Sequence, residues 1–185
     1  MTLPLRAHTC CFSGYRPEKI PGCDPAQAAP PATLADSLLR AVRNAAGLGY
    51  THFVTGMSRG FDLWAAQAVL ALAGTAGLSL VCAIPFDGQD AGWPPAWRAA
   101  YDEALRHAAQ VFLLAPAYAP GCYHTRNRFL VESSSLLICY FDGQPGGTAY
   151  TVRYAKRRGL ELDNVADPQV SLGGLLYGTG KEWPP

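Results

Sequence analysis

Long hydrophobic runs are missing from this chain of 185 residues. No apolar stretch approaches the ~20 residues that a membrane-spanning helix needs. The first residues, MTLPLRAHTCCFSG, also lack the apolar core and the small-residue cleavage site of a signal peptide. We therefore expect a cytoplasmic protein that has no membrane partner.

Charge is scarce and almost balanced. Charged residues make up 16% of the chain, with 15 Lys and Arg against 14 Asp and Glu. No field of one sign dominates, so charge alone predicts no capture of nucleic acid or of an acidic membrane. Hydrophobic residues make up 49%, which is enough for a sizeable core and excludes global disorder.

Metal-binding and disulfide patterns are absent from the cysteine spacing. None of the six cysteines forms a CxxC pair, and no Cys/His spacing is typical of a zinc site. Cys10, Cys11, Cys82 and Cys139 lie in or beside apolar runs, whereas Cys23 and Cys122 lie in Gly/Pro-rich segments. We expect reduced cysteines that pack as small hydrophobes, no metal site, and a redox role for Cys23 or Cys122 only as the alternative.

Short apolar runs alternate with helical patterns along most of the chain. The runs predict strands at residues 8–12, 52–55, 79–84, 111–114, 136–140 and 160–165. Strands separated by helices predict an α/β fold with a mostly parallel sheet that helices cover on both faces. We expect one domain over residues 1–166 and a C-terminal extension over residues 167–185.

The loops that follow the first two strands carry glycine and charged residues. Ligands of such sheets bind beyond the carboxyl ends of the strands. In FSGYRP, Gly14 allows a close backbone approach, and Arg16 could pair with a phosphate in bidentate fashion.

In TGMSRGFDLWAA, Gly56 and Gly60 precede a helix whose N-terminus could face an anion, with Ser58 as the candidate N-cap. Asp62 either complements the helix dipole or provides a carboxylate for a ribose or for acid–base chemistry.

Two later loops carry the same kind of chemistry. In YHTRNRF, Arg126 could hold phosphate and Asn127 could read a base or a ribose, with Glu132 a turn and a half further on. In YFDGQPGGT, the residues Gly146, Gly147 and Thr148 open another helix, which predicts a second anion-binding N-terminus.

Five segments occur in an order that is typical of one family. They are SGYRP, TGMSRGFDLWAA, IPFDGQ, RNRFLVESSSLLICYFDG, and GGT followed by YAKRRG. Together they resemble the YpsA-like family of the SLOG superfamily, to which the DNA-processing protein DprA and the LOG cytokinin-activating enzymes also belong. The resemblance covers about residues 8–165.

The resemblance implies a Rossmann-like three-layer αβα sandwich with a ligand site at the strand carboxyl ends. It also implies a nucleotide or a nucleotide derivative, such as an ADP-ribose-like compound, as the ligand. The matching positions are Gly14, Arg16, Gly56, Gly60, Asp62, Arg126, Asn127, Asp142, Gly146, Gly147 and Thr148.

One departure from the LOG pattern bears on turnover. LOG enzymes carry PGGxGTxxE, whose Glu contributes to cleavage, whereas this chain reads PGGTAYTVRYA with no acid in the first turns of the helix. Only Asp62, Glu132 or Asp142 could replace that Glu. DprA-like relatives bind single-stranded DNA, and the balanced charge of this chain speaks against nucleic acid as its partner.

Three functions remain open at this point. The first is a protein that binds or senses a nucleotide. The second is a nucleotide N-glycosidase or phosphoribohydrolase that uses Asp62 or Glu132 as acid or base. The third is a ligand-free interaction domain that uses exposed aromatics of residues 85–97 and 115–123. A homodimer is compatible with each of them.

Overall fold

The computed structural model describes residues 5–166, so the predicted extension over residues 167–185 lies outside the described residues. The six strands are β1 (Thr9–Ser13), β2 (His52–Thr55), β3 (Ser79–Ile84), β4 (Gln110–Leu113), β5 (Leu136–Cys139) and β6 (Glu161–Asn164). The five helices are α1 (Ala32–Gly47), α2 (Phe61–Ala76), α3 (Pro95–His107), α4 (Cys122–Glu132) and α5 (Gly147–Arg157). Each strand predicted from the apolar runs lies within one residue of an observed strand.

The sheet is parallel throughout, with the strand order β4-β3-β2-β1-β5-β6. The chain builds outward from β1 to β4 and then returns to the other side of β1 to add β5 and β6. The order therefore reverses between β1 and β5, and α/β sheets bind ligands at such a switch point.

Side chains alternate between the two faces of the sheet and so divide the core into two layers. Phe12, Phe53 and Leu80 point toward α1, α2 and α3, whereas Cys11 and Val54 point toward α4 and α5. Because both faces of the sheet are covered, the central strands consist almost entirely of apolar residues. The predicted three-layer αβα sandwich with a mostly parallel sheet is confirmed.

Two buried tryptophans hold the Pro/Ala-rich loop between β1 and α1 against the core. The rings of Trp64 and Trp97 lie 5.7 Å apart. Their indole N–H groups donate to the carbonyls of Ala28 at 2.8 Å and Pro25 at 2.7 Å. These bonds satisfy both indole N–H groups and fix the path of this loop over the core.

The start of one helix and the N-cap of another differ from the sequence-based prediction. The sequence predicts a short helix over residues 126–133, whereas α4 begins at Cys122 with Gly121 at φ 88° as its N-cap. Helix α2 begins at Phe61 with Gly60 at φ 86° as its N-cap, so Ser58 does not cap it. At both N-cap positions the positive φ favours glycine over a residue with a capping side chain.

The cysteines do not form cross-links. All six lie within the described residues and are free thiols, and all but the half-buried Cys23 are buried. Within residues 5–166, no helix is long and apolar enough to cross a membrane.

Candidate functional site

A cavity of about 290 Å³ lies at the carboxyl ends of β1 and β5. Its wall contains the segment that follows β1, the start of α5 and one face of α4. Ser58 and Asp62 contribute from the β2–α2 connection. Four segments that are distant in the sequence therefore meet at the switch point of the sheet.

One end of the cavity is rich in positive charge. Gly146 and Gly147 open α5, and no side chain caps the first N–H groups of this helix. Lys19 lies beside them, since its Nζ is 3.9 Å from the position that a Cβ on Gly146 would take. Arg16 lines the same cavity and acts electrostatically on both Asp62 and Arg126. Lys19 thus lies beside a helix N-terminus, and Arg16 adds a second cation to the same cavity, which suits an anion.

Arg126 lines the cavity, and its guanidinium donates most of its hydrogen bonds to other groups of the protein. Its Nη1 donates to the carbonyl of Gly56 and, at 3.1 Å, to Oδ2 of Asp62, and its Nη2 donates to Oγ of Ser58 at 3.1 Å. The sequence suggested Arg126 as a phosphate ligand. In the structure its buried guanidinium holds the loop that follows β2, and the residue also lines the cavity, so contact with a phosphate stays a prediction.

Gly56 is needed for this arrangement rather than for contact with a ligand. A Cβ at this position would overlap the Arg126 guanidinium and would lie 2.8 Å from Cδ of the same side chain. Gly56 does not line the cavity. Only a residue without a side chain lets the arginine reach the backbone here.

Asp62 is a buried carboxylate that keeps one free oxygen. Oδ2 accepts from Arg126 and from the N–H of Ser58 at 3.3 Å, whereas Oδ1 bonds to no described residue. Burial raises the pKa of Asp62, and the positive charge of Arg126 opposes that rise. A raised pKa suits proton transfer, and a free carboxylate oxygen suits a ribose hydroxyl.

Three polar side chains of the cavity have no hydrogen-bond partner among the described residues. Ser13, Asn127 and Thr148 line the cavity and are only 8%, 9% and 7% exposed. Their polar atoms are not among the fully buried unpaired atoms of the described residues, so the cavity leaves them accessible and free to bond. Three such groups around one cavity indicate that their partners come from a ligand or from solvent.

Most residues predicted for the site meet in the cavity. The predicted residues that line it are Gly14, Arg16, Ser58, Asp62, Arg126, Asn127, Gly146, Gly147 and Thr148. Four others do not line it, namely Gly56, Gly60, Asp142 and Glu132.

Gly56 is explained above, and each of the other three residues outside the cavity, Gly60, Asp142 and Glu132, has a structural contact that explains its position. Gly60 lets α2 pack against the segment that follows β1, since a Cβ there would lie 2.6 Å from the carbonyl oxygen of Tyr15. Asp142 is exposed and accepts from the Tyr15 hydroxyl at 2.5 Å, which lowers the pKa of Asp142. Glu132 is exposed and accepts from the Tyr154 hydroxyl at 2.5 Å.

Four polar or aromatic residues of the cavity were missed from the sequence. Ser13 and Tyr15 flank Gly14, so their place in SGYRP was a usable signal. Tyr123 was missed because the start of α4 was placed too late. Lys19 carried no local signal, because only the turn after Pro17 brings it beside α5. Within residues 5–166 no group of His, Cys, Asp and Glu could hold a metal ion.

Comparisons with known proteins agree with this architecture. The family model YpsA, described as the YspA SLOG family, matches residues 10–165. The UPF0398 protein BH1768 of Halalkalibacterium halodurans is 32% identical over 114 residues, which are 60% of this chain and 60% of the relative. The chain thus spans about three fifths of the length of that curated relative.

Two solved structures share the fold. DNA processing protein A from Streptococcus pneumoniae superposes with a TM-score of 0.56 at 18% identity, over 85% of this chain and 50% of that one. The homologous protein from Helicobacter pylori, whose structure describes a single-stranded DNA binding mode, gives a TM-score of 0.58 at 16% identity, over 88% and 65% of the two chains. At these identities the likeness concerns the fold alone.

Proposed function

This chain belongs to the YpsA family of SLOG proteins, and from that premise we propose that it binds and senses a nucleotide or a nucleotide derivative. The ligand lies in the cavity between the carboxyl ends of β1 and β5. The observation that carries the proposal is a set of three side chains, Ser13, Asn127 and Thr148, that line this cavity and have accessible polar atoms without a partner among the described residues. They are donors and acceptors that a polar ligand would satisfy.

The phosphate lies at the N-terminus of α5. The N–H groups that follow Gly146 provide donors, and the side chains of Arg16 and Lys19 provide positive charge. Arg16 forms no ion pair with any residue in the described part of the chain, which leaves its planar guanidinium available for bidentate contact with phosphate oxygens. This end of the cavity accounts for the anionic part of the ligand.

The other cavity residues bind the ribose and the base. The free Oδ1 of Asp62 accepts from a ribose hydroxyl, and Asn127 bonds to a polar edge of the ribose or the base. Tyr123 precedes Asn127 by one turn of α4 and presents an aromatic ring at the rim of the cavity. A volume of about 290 Å³ suits a ligand of mononucleotide size, so an ADP-ribose-like ligand would extend beyond the rim.

Binding is favoured over turnover by the number of carboxylates. Asp62 alone among the described cavity residues carries one, since Glu132 and Asp142 lie outside. The Glu that contributes to cleavage in LOG enzymes has no counterpart in the first turns of α5, so acid–base chemistry in this cavity would depend on Asp62 alone. Product analysis distinguishes the two functions: release of a free base that is lost in Asp62→Asn would establish the N-glycosidase alternative instead.

Replacing Arg16 with alanine should weaken nucleotide binding about 10- to 100-fold, because a hydrogen bond to a charged group contributes roughly 1.5–3 kcal/mol. Calorimetry with AMP, ADP, NAD and ADP-ribose provides the measurement. Arg43→Ala removes an exposed arginine from α1 on the other face of the sheet and should bind like the wild type. Absence of binding by the wild type to every compound would refute the proposed function.

Replacing Tyr123 with alanine should weaken AMP binding about tenfold while leaving ribose 5-phosphate binding unchanged. The reason is that stacking of a base on an aromatic ring is worth roughly 1–3 kcal/mol. Tyr118→Ala is the matched control, because Tyr118 also contacts Phe86 but lies outside the cavity and is 63% exposed. An equal loss for both ligands in Tyr123→Ala would remove the base from this position.

A further inference from the structure

The outer surface formed by α4 and α5 concentrates positive charge and aromatic rings. Four exposed arginines lie on these helices or directly after them, namely Arg128, Arg153, Arg157 and Arg158. The same helices expose one carboxylate, Glu132. The whole chain has a net charge of only +1, so the rest of the molecule is net negative and the overall total conceals this local surplus. We call this surface the α4–α5 face.

Aromatic rings form a ladder along the α4–α5 face. Tyr150 and Tyr154 are one turn apart on α5, and their rings are nearly parallel, at 8° with centroids 6.1 Å apart. The ring of His124 on α4 meets Tyr150 edge-on at 4.6 Å. His124 thus extends the ladder from α5 to α4. His124 is exposed at the surface, whereas Tyr150 and Tyr154 are half-buried.

Arginines hold the ladder in position. Nε of Arg128 donates to the hydroxyl of Tyr150 at 2.9 Å, and the guanidinium carbons of Arg128 and Arg157 lie 6.0 and 5.7 Å from the centre of the Tyr154 ring. Such contacts keep the cations beside the rings rather than dispersed in solvent. Charge and aromatic surface are therefore combined in one strip.

The face is separate from the nucleotide cavity. The cavity uses Tyr123, Arg126, Asn127 and Leu130, which lie on the side of α4 that faces the sheet and the segment after β1. Arg128 and His124 lie on the opposite, exposed side of the same helix. A ligand could therefore occupy either surface without entering the other.

We propose that the α4–α5 face binds single-stranded nucleic acid without regard to sequence. Sequence-independent binding of single strands combines cations that follow the phosphates with aromatic rings on which bases stack. The arginines provide the first element and the Tyr150–Tyr154 ladder the second. A folded acidic protein would be attracted by the same charge but would not need a ladder of rings at single-turn spacing.

The test uses fluorescence anisotropy of the full chain with labelled oligo(dT) of about 20 nucleotides over a range of salt concentrations. If each of the four arginines contacts one phosphate, the logarithm of the binding constant should fall linearly with log[salt], with a slope of roughly −3. Arg153→Gln/Arg157→Gln should halve that slope, whereas Arg40→Gln/Arg43→Gln on α1 removes the same charge and should leave it unchanged. No binding at low salt, or equal effects of the two double variants, would overturn the proposal.

A second comparison separates stacking from charge. Tyr150→Ala/Tyr154→Ala should weaken oligo(dT) binding at least tenfold while leaving binding of inorganic polyphosphate unchanged. Equal loss for both polymers would exclude the ladder as a base platform. Arg16→Ala should bind oligo(dT) like the wild type, and a loss there would move the single strand into the nucleotide cavity.

Discussion

Replacing Arg126 with methionine should lower the free energy of unfolding by about 3–5 kcal/mol, because removing one partner of a buried ion pair leaves the other charge uncompensated. Asp62 and Arg126 are both buried and lie 3.1 Å apart across 64 residues of sequence. The backbone carbonyl of Gly56 and the hydroxyl of Ser58 lose their donor at the same time. Denaturant unfolding followed by circular dichroism measures the change.

Two variants make that result interpretable. Arg98→Met removes an exposed arginine from α3 and should change the unfolding free energy by less than about 0.5 kcal/mol. The double variant Asp62→Leu/Arg126→Met replaces both charges with apolar groups and should recover much of the loss. A double variant as unstable as the single one would mean that packing, rather than an unpaired charge, causes the destabilisation.

The loss of unfolding free energy in Arg126→Met should depend on pH in a defined direction. Burial already raises the pKa of Asp62, and losing Arg126 removes the main influence that lowers it. An acid whose pKa is higher in the folded protein loses stability as pH rises above its unfolded value of about 3.9. We therefore expect a smaller deficit at about pH 5 than at pH 7, and a pH-independent deficit would contradict the assigned charge.

Replacing Gly14 with alanine should be the most damaging methyl addition among the glycines that line the cavity. A Cβ at this position would overlap the ring of Phe61 and lie 2.6 Å from its Cδ1. Phe61 is completely buried at the start of α2 and directly precedes Asp62. Overpacking of this kind costs roughly 1–3 kcal/mol, and any displacement of Phe61 also moves the carboxylate that faces the ligand.

Gly74, which lies in the same helix as Phe61, provides the matched comparison. A Cβ on Gly74 of α2 would meet nothing within 4 Å, so Gly74→Ala should stabilise the protein by about 0.5–1 kcal/mol. Thermal unfolding of both variants measures the difference in sign. Adding Phe61→Leu to Gly14→Ala should restore part of the loss, and failure to do so would place the strain elsewhere.

Local patterns in the sequence determined the architecture. Alternating apolar runs and helical segments encode strand and helix by their periods, so all six strands could be placed within one residue of their observed ends. The glycine-rich loops after β1, β2 and β5 were expected to meet, because the carboxyl ends of parallel strands share one edge. The family was also evident from these loops, and the family comparison confirmed it. The cytoplasmic location and the homodimer stay predictions.

Only the tertiary structure decided what the charged residues do. Arg126 proved to be bound to Gly56 and Asp62, while Lys19 and Tyr123 proved to line the cavity. The strand order places β1 beside β5 although more than a hundred residues separate them, and no local pattern reports such a neighbour. Side-chain partners depend on distances between segments, whereas sequence periodicity reports only the direction a residue faces within its own segment.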